Sequence, residues 1–527
     1  MNMEATVQPT NQKRKSAILK IALFATGLSG IVAEYILSTL ATYFLGDSIL
    51  QWTLVVSFML FAMGLGSHLS QYFKGKLLET FIIIEFTLTM LVSFSAILVY
   101  TIHAYSSYNG IFIYGLAILV GMMIGLEIPI VTRLNQEYQS LRVNIASVME
   151  QDYFGSLLGG LFFAFVALPY LGMTYTPFIL GTVNFTVAIL LYFKLKHLIQ
   201  PNWQFRLNVM MAFVFLAITL GCIYAKPIIV FGEQKKYKDK VIYEFQSRYQ
   251  KLVITQWKNH YWLFINGNQQ LSTLDEEMYH EPLVHPVMTL SANPQNILVL
   301  GGGDGAAVRE ILKYPQVKDI TLVDLDPAMT QLAKTHPVLT QLNDSAFYDP
   351  KVTIKNMDAF IYMDQTKKFF DVIIIDLPDP RTVELGKLFS KEFYQLCRRH
   401  LRPNGLMIAQ SGSPYYSTRA YECINKTMQA AGFGTTKIHN QVLTLGEWGW
   451  VIASKSLKDN QLKETLRKLK FKHVKTKWIN NESMLLMTSF GKDTYFKNRI
   501  PDSTVRVNTI HDPVLYRYYL QGNWELY

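Results

Sequence analysis

The sequence predicts a multi-pass α-helical membrane domain followed by an α/β domain, with a small antiparallel β region at the start of the soluble part. The first 230 residues contain long apolar segments with few charges, each close to the about 20 residues that a membrane-spanning helix needs. From about residue 296, short apolar runs ending in glycine or aspartate alternate with helical patterns, which is typical of a parallel sheet covered by helices. The composition agrees, since 50% of residues are hydrophobic, 17% are charged and the mean hydropathy is +0.15.

The membrane domain is predicted to span residues 17–230, after a cytoplasmic tail at 1–16. Glycines within its apolar segments favour close helix packing in lipid; they include Gly27, Gly30, Gly64, Gly66, Gly121, Gly125, Gly155, Gly159 and Gly160. The candidate spans are seven: 17–45, 49–73, 78–103, 109–132, 146–171, 174–196 and 207–230.

Basic residues alternate between successive loops of this domain. They precede the first span (Lys13 to Lys15) and follow the second, fourth and sixth, whereas the loops near Gly46-Asp47, His103 and Pro169 carry no Lys or Arg. The positive-inside rule therefore places the N-terminus in the cytoplasm. Seven crossings would then place the C-terminal domain on the opposite face, so the charge pattern and the span count leave its sidedness open.

Five acids lie within the predicted spans: Glu34, Glu85, Glu127, Glu150 and Asp152. Carboxylates in lipid are costly and often functional. A cation path or a polyamine contact is one interpretation, and an interfacial position or a polar neighbour is the other.

The net charge and the cysteines exclude several classes of protein. The formal charge is +11, but no Arg/Lys block accompanies it, so nucleic-acid binding is not favoured. The three cysteines are widely spaced without a CxxC pair, which does not indicate a disulfide scaffold or a zinc site.

Residues 240–290 predict the small β region. Three alternating segments break at turn residues, with a hairpin at Asn266-Gly267, and a helix containing Tyr279, His280 and Glu281 follows. Residues 291–527 predict the α/β domain. Its strands are expected at 296–300, 319–325, 352–356, 371–376 and 405–410, and its helices at 305–313, 327–335, 388–400 and 417–432.

Acids follow the predicted strands of this domain. Ligands bind a doubly wound sheet beyond the carboxyl ends of its strands, and the acids there are Asp304, Asp324, Asp326, Asp358, Asp376 and Asp379. An acidic rim on a basic protein indicates a cationic ligand. An organic polycation is favoured over a metal, because hard-cation sites usually draw carboxylates from tight local clusters and no EF-hand loop is present.

The loop after the first strand of the domain is glycine-rich. Gly301, Gly303 and Ala306 satisfy the G-x-G-x-x-A pattern of a Rossmann-like nucleotide site, which alone leaves NAD and S-adenosyl ligands equally open. Asp304 inside the loop and the pair Asp376 and Asp379 place negative charge where a phosphate would be repelled. A sulfonium or amine ligand is therefore favoured.

At these residues the chain resembles the spermidine synthase (polyamine aminopropyltransferase) family, in its membrane-embedded bacterial branch. The resemblance covers about residues 240–527. Its motifs are Tyr279-His280-Glu281, Gly301 to Gly305, Val323-Asp324, Asp358-Ala359, Asp371 to Pro380 and Gln410 to Pro414.

The resemblance implies a Rossmann-like enzyme that transfers an aminopropyl group from decarboxylated S-adenosylmethionine, its co-substrate, to putrescine. Spermidine and 5′-methylthioadenosine are the products, and no metal is expected. Asp376 would be the catalytic proton acceptor. The amines of donor and acceptor would contact His280, Asp304, Asp379 and Gln270, with Tyr279 beside them. The donor nucleoside would contact Gln250, Gly301, Gly303, Asp324, Asp358 and Ala359.

The expected partners are putrescine or a related polyamine and the lipid bilayer, with a homodimer left open. The expected location is the inner membrane, with a cytoplasmic catalytic domain because the donor is made inside the cell. One departure from the family pattern is Arg381-Thr382-Val383, where many soluble members have a Gly-Pro segment. The alternatives are a non-catalytic polyamine sensor or transporter, and a methyltransferase using S-adenosylmethionine.

Overall fold

The computed structural model describes residues 9–46, 48–106, 108–136, 140–491 and 504–524, with side chains from residue 15 onward. The chain divides into two compact units, Met1–Lys240 and Val241–Tyr527. Most of the predicted tail, residues 1–8, lies outside the described residues, as does Asp47 of the first predicted loop.

The first unit is helical. The bounds of its helices are α1 Pro9–Leu45, α2 Ser48–Leu69, α3 Leu77–Ser93, α4 Ser95–Tyr105, α5 Asn109–Asn135, α6 Leu141–Phe162, α7 Gly172–Leu195 and α8 Pro201–Lys236. A π-helical segment, Phe163–Leu171, joins α6 to α7, and short 3-10 turns follow α2 and α7. Because α1 begins at Pro9, the second half of the predicted tail is helical.

Glycines bring these helices into close contact. A Cβ atom at Gly125 would lie 2.1 Å from the carbonyl oxygen of Met63, and one at Gly155 would lie 2.0 Å from that of Phe24. Pairs α2–α5 and α1–α6 therefore pack backbone to backbone, as small residues allow in lipid. Gly64 is the exception among the predicted packing glycines, since a Cβ there would meet no atom within 4 Å.

Among the described residues, five helices are long and apolar enough to cross a membrane, or six if the bent pair α3–α4, with its 47° bend, is one span. The prediction of seven separate segments differs mainly at 146–171 and 174–196, which form one helical run, Leu141–Leu198. Gly172 interrupts that run, because its φ of 61° and ψ of −173° lie outside the helical region. The sequence placed a loop at the same point.

The second unit begins with a four-stranded sheet in the order β1-β2-β3-β4. Its strands are β1 Lys240–Gln246, β2 Lys251–Trp257, β3 His260–Ile265 and β4 Asn268–Ser272. β3 is antiparallel to both β2 and β4. At the β3–β4 hairpin, Asn266 and Gly267 both have positive φ, 50° and 78°, as a tight two-residue turn requires. Helix α9, Glu277–Leu290, follows.

A seven-stranded sheet forms the centre of this unit, in the order β10-β11-β9-β8-β5-β6-β7. Its strands are β5 Asn296–Gly301, β6 Asp319–Asp324, β7 Val352–Asn356, β8 Phe370–Asp376, β9 Leu401–Gln410, β10 Gly434–Val442 and β11 Gly446–Ser454. Strands β5 to β9 pair in parallel. Alternate residues of the strands, such as Val299 and Leu298, enter hydrophobic cores on opposite faces.

Helices separate the strands of this sheet along the chain up to β10, and three more helices among the described residues follow the last strand. They are α10 Ala306–Leu312, α11 Pro327–Thr335, α12 Pro337–Leu342, α13 Ala359–Gln365, α14 Val383–Gly386, α15 Lys391–His400, α16 Thr418–Ala430, α17 Asp459–Arg467, α18 Asn481–Met487 and α19 Leu515–Leu520. The predicted parallel strands and the helices around them are present within a few residues of their expected bounds. This is a Rossmann-like arrangement.

The prediction of a parallel sheet was incomplete. Strands β10 and β11 form a hairpin, and β11 is inserted antiparallel beside β9. The segment Gly446–Ser454 is almost entirely buried, so it lacks the alternation that identifies a strand with one solvated face.

Candidate active site

The candidate site lies at the carboxyl ends of β5, β6 and β8, where the sheet presents its loops. The loops after β5 and β8 are joined through their backbones, because Gly302 N–H donates to the carbonyl of Asp376 at 3.0 Å. Gly301, with φ of 83°, has no room for a side chain, since a Cβ would lie 2.1 Å from the same carbonyl oxygen. This glycine therefore lets the two loops meet.

Asp376 ends β8 and accepts a hydrogen bond of 2.8 Å from the hydroxyl of Tyr279. Burial raises the pKa of the Asp376 carboxyl to about 6, and the negative charge of Asp304 adds to this, while His280 and Tyr279 act in the opposite direction. Such a carboxylate is a stronger proton acceptor than an ordinary aspartate while remaining ionised at neutral pH.

Tyr279 forms one wall of this part of the site. Its ring contacts those of His280 and Trp450, with centroids 5.0 Å and 5.3 Å away. Burial and the charge of Asp376 raise the pKa of the Tyr279 phenol well above its usual value. The hydroxyl therefore stays protonated and serves as a donor to Asp376.

His280 is buried and is oriented by Glu276. Its Nδ1 lies 2.8 Å from Glu276 Oε2, and its Nε2 lies 3.9 Å from Asp304 Oδ1. Burial alone would lower the pKa of the imidazole, but Glu276 and the charges of Asp304 and Asp376 raise it to about 9. At neutral pH His280 is thus a cation among acids.

Glu276 is in turn fixed by Arg309, whose guanidinium contacts both its oxygens at 2.7 Å and 2.9 Å. Burial acts to raise the pKa of Glu276, but its bonds to His280 and Arg309 lower it to about 2. Arg309, Glu276 and His280 therefore form a linked series of charged side chains. The cationic His280 at its end lies next to Asp304.

Asp304 lies between this chain and the glycine loop. Its Oδ1 accepts from Ala306 N–H at 2.8 Å, and its carbonyl accepts from Asn343 at 2.8 Å. The ligand atoms of His280, Asp304 and Asp376 lie within 4.8 Å of one another. That spacing could accept a metal ion, which would have to displace a proton from the His280 imidazole, because a histidine ligand must be neutral.

Asp324 ends β6 opposite the glycine loop. A Cβ atom at Gly303 would lie 2.6 Å from Asp324 Oδ2, so the glycine leaves the carboxylate accessible to the loop backbone. Burial raises the pKa of Asp324 to about 6. The next acid, Asp326, caps α11 through Ala328 N–H at 3.0 Å, which agrees with the structural interpretation of its Asp-Pro pair.

Gln250 reaches the same end of the sheet through a turn. Ser247 accepts the backbone N–H of Gln250 at 2.9 Å and donates to Asp326 at 2.7 Å. This turn therefore links the backbone of Gln250 through Ser247 to Asp326 in the loop after β6.

Asp358 and Ala359 begin α13. The Asp358 carboxylate caps the helix by accepting from Phe360 and Ile361 and pairs with Lys387 at 2.9 Å. Burial acts to raise the pKa of the Asp358 carboxyl, but Lys387 and the helix N–H groups outweigh it and lower this pKa below its usual value. Ala359 is buried beside it.

Asp379 lies in the loop after β8 and is surrounded by donors. Tyr519 of α19 donates to its Oδ2 at 2.6 Å, Arg381 approaches the same oxygen at 3.7 Å, and the side-chain amide of Gln410 lies 3.4 Å from Oδ1. Arg381 also donates to Asn268 of β4 at 2.6 Å. The segment Arg381-Thr382-Val383, which departs from the family pattern, thus places the Arg381 cation next to Asp379, an acid predicted to bind an amine.

Gln270, on β4, is the predicted site residue with the least contact to the others. Its amide donates to backbone carbonyls of its own strand, those of Asn268 and Gln269. The structure connects β4 to the Asp379 loop through Asn268 and not through Gln270.

Asp376, Tyr279, His280, Asp304 and the glycine loop are brought together, whereas Asp358 and Gln270 lie at the margins. The sequence interpretation missed Glu276, Arg309 and Tyr519. Glu276 lies four residues before His280, a helical spacing that could have indicated the pair. Neither Arg309 nor Tyr519 carries a local signal of its contact.

Comparisons with known proteins show what this chain is similar to. Residues 276–465 match the spermine/spermidine synthase domain. The polyamine aminopropyltransferase of Oceanobacillus iheyensis is 36% identical over 98% of this chain and 99% of its own length. Polyamine aminopropyltransferase 2 of Aquifex aeolicus is 40% identical over 96% and 98%. A crystal structure of spermidine synthase in complex with the transition state analogue AdoDATO is 30% identical with a TM-score of 0.45, covering 49% of this chain and 87% of that chain.

These relatives align with the helical unit as well as the α/β unit, because the matches extend over nearly the whole chain. The chain therefore belongs to the polyamine aminopropyltransferase family.

Proposed function

We propose that the protein transfers the aminopropyl group of decarboxylated S-adenosylmethionine to putrescine, with Asp376 as proton acceptor. The observation that carries the proposal is the Asp376 carboxylate itself, which is buried, hydrogen-bonded to Tyr279 and raised in pKa to about 6. It lies between Asp304 on the glycine loop and the loop that contains Asp379. Family membership supports an aminopropyl-transferring enzyme and does not favour the sensor or the methyltransferase.

The reaction requires a neutral amine. A putrescine ammonium, whose pKa is close to that of lysine at about 10, first gives its proton to the Asp376 carboxylate. The nitrogen lone pair then forms a bond to the methylene carbon beside the sulfonium. The carbon–sulfur bond breaks with its electrons going to sulfur, so 5′-methylthioadenosine leaves as a neutral thioether.

Positioning supplies most of the remaining catalysis. In this proposal Asp324 binds the ribose hydroxyls, while Gln250, Asp358, Ala359 and the backbone of Gly301 and Gly303 surround the nucleoside. Asp304 holds the amine of the donor, and Asp379 holds the distal ammonium of the acceptor with Gln270 at the margin.

His280 has a modified role in this scheme. Because its imidazole is cationic below a pKa of about 9, it is suited to holding Asp304 and Asp376 and not to binding an ammonium directly. Its positive charge also keeps Asp376 ionised at neutral pH.

The helical unit is proposed to cross the cell membrane. Its five or six long apolar helices support this, and the alternating loop charges place the N-terminus in the cytoplasm. We propose a cytoplasmic α/β unit, which an even number of crossings would give. Reporter fusions after Lys240 and after residue 524 test this, since activity of a periplasmic reporter at both positions contradicts it.

The function is tested with purified full-length protein in detergent. Decarboxylated S-adenosylmethionine is supplied with putrescine, cadaverine or spermidine, and release of 5′-methylthioadenosine is followed. Turnover with putrescine supports the proposal. Retained polyamine binding without turnover on any of the three amines overturns it.

A further inference from the structure

The helical unit contains an acidic pair that the aminopropyl transfer does not use. Glu85 on α3 and Glu127 on α5 are both fully buried, and these two helices pack against each other. Thr26 on α1 donates to Glu85 Oε1 at 3.1 Å. Asp152 on α6 is a third acid whose charge reaches Glu127, so four helices meet at this cluster.

The pair lacks compensating groups. Across the part of the chain that the structure describes, neither carboxylate oxygen of Glu127 has a hydrogen-bond partner, nor does Oε2 of Glu85. The nearest cation along α5, Arg133, donates to the carbonyls of Pro129, Phe73 and Ser70 instead.

Another acid buried in the same unit shows that compensation is available elsewhere. Glu233 accepts the hydroxyl of Tyr43 at 2.8 Å and 2.9 Å, and Lys236 lies 3.8 Å from the centroid of that ring. Glu233 is thus compensated within the helical unit, whereas the donor that the structure gives the Glu85–Glu127 pair is the hydroxyl of Thr26.

Two fully buried carboxylates whose charges influence each other cannot both remain ionised without a counter-charge. A further buried polar group stands one turn after Glu85, where the hydroxyl of Thr89 is also without a partner among the described residues. Carboxylate and hydroxyl oxygens are the ligands that hard cations prefer.

The space around the pair indicates a small ligand. A Cβ atom at Gly27, next to Thr26, would lie 2.3 Å from the carbonyl oxygen of Asp152 and 2.9 Å from its Oδ1. An alkylammonium chain needs an adjoining channel, and this close helix contact leaves none on the α1–α6 side. Mg²⁺ requires about six octahedral ligands and usually retains waters, which a close-packed helical interior does not favour.

We propose that Glu85 and Glu127, together with the hydroxyl of Thr26, bind a single alkali metal cation inside the helical unit. The site is separate from the aminopropyl-transfer site, and the inference does not depend on the proposed function.

The experiment uses the full-length protein in detergent and the hydrophobic carbodiimide DCCD, which reacts with protonated carboxyls in apolar surroundings. The modified residue is identified by peptide mass spectrometry. We expect modification of Glu85 or Glu127 in choline chloride, and at least a severalfold decrease when sodium or potassium chloride replaces choline at the same ionic strength. Calorimetric titration with sodium chloride should give saturable heat.

Variants separate the site from the fold. Glu127→Gln should abolish both the sodium heat and the protection of Glu85, whereas Glu150→Gln, which changes an exposed acid on α6, should retain both. Aminopropyl transfer by each variant shows that the protein is folded.

Three outcomes would overturn the proposal. Modification that responds to pH but not to any salt means that the pair holds only a proton. Protection by putrescine or magnesium without sodium or potassium assigns a different ligand. Absence of both modification and sodium heat means that no exchangeable cation is bound.

Discussion

Two groups of buried carboxylates, one in each unit of the chain, are compensated to different extents. In the α/β unit, Asp376, Asp379 and Glu276 each receive donors from the protein, from Tyr279, Tyr519 and Arg309 respectively. In the helical unit, Glu127 receives none from the described residues. The rim of the sheet is thus arranged in advance around its acids, whereas the helical pair requires a charge from outside. Buried acids in one chain can therefore serve chemistry in one unit and cation binding in the other.

The largest effect is expected from Asp376→Asn, which keeps the shape of the side chain but removes the proton acceptor. We expect kcat for aminopropyl transfer to fall about 10²- to 10⁴-fold, the usual contribution of a general base. Binding of decarboxylated S-adenosylmethionine, followed by calorimetry, should change little. Unchanged turnover would remove Asp376 from its proposed role.

The pH dependence of activity tests the contribution of His280. With a pKa of about 6, Asp376 is the carboxylate base above this value, so kcat should fall as pH decreases through it. Because the positive charge of His280 lowers the pKa of Asp376, His280→Asn should move this acid limb to higher pH. A pH–rate profile of the variant checks the direction, and an acid limb that stays in place or moves to lower pH contradicts it.

Arg381 tests the acceptor end of the rim. It lies 3.7 Å from Asp379 and would compete with the distal acceptor ammonium that we propose to bind that carboxylate. We expect Arg381→Gln to lower the KM for putrescine severalfold without changing the KM for the donor.

The matched control for Arg381 is Lys387→Gln, which removes a cation from Asp358 on the nucleoside side. This variant should change the KM for the donor and not that for putrescine. If both variants affect the same substrate, the assignment of the two ends of the site is wrong.

The smallest effect compares two positions on α1. Tyr43→Phe removes a donor to Glu233 and should reduce the free energy of unfolding by about 0.5–1.5 kcal/mol, the net contribution of a typical intramolecular hydrogen bond. Ser38→Ala removes a buried hydroxyl that has no partner among the described residues, so it should be neutral or stabilising. Thermal unfolding in detergent measures both, and equal destabilisation would show that partnered and unpartnered polar groups do not differ in this unit.

Much of the α/β fold could be predicted because three of the parallel strands, β5, β6 and β8, are apolar runs ended by glycine or aspartate. The same residues at the ends of the apolar runs located Asp324 and Asp376 at strand ends and Asp304 in the loop after β5. Strand β11 was missed because its burial on both faces removes the alternation that identifies a strand. In the helical unit, the apolar segments could be recognised in the sequence. The π-helical segment Phe163–Leu171, which extends α6 as far as Gly172, could not, because its composition does not differ from that of an α-helix.

The site was predictable only as far as local patterns extend. His280 belongs to a short motif, but its charge depends on Glu276 and on Arg309, which lies 33 residues beyond Glu276. Tyr519 contacts Asp379 across 140 residues. Such contacts are set by the packing of α19 and α10 and not by any spacing in the chain.

The backbone bond between Gly302 and Asp376 has a consequence for how the enzyme can evolve. This bond joins the loop proposed to hold the donor to the residue proposed to accept the proton, and both of its partners are main-chain groups. A change in the glycine loop that accommodates a different donor would also displace Asp376. A variant selected for a new donor would therefore transfer its group more slowly to every amine. A variant selected for a new acceptor, through changes at Asp379 and Arg381, could keep its rate.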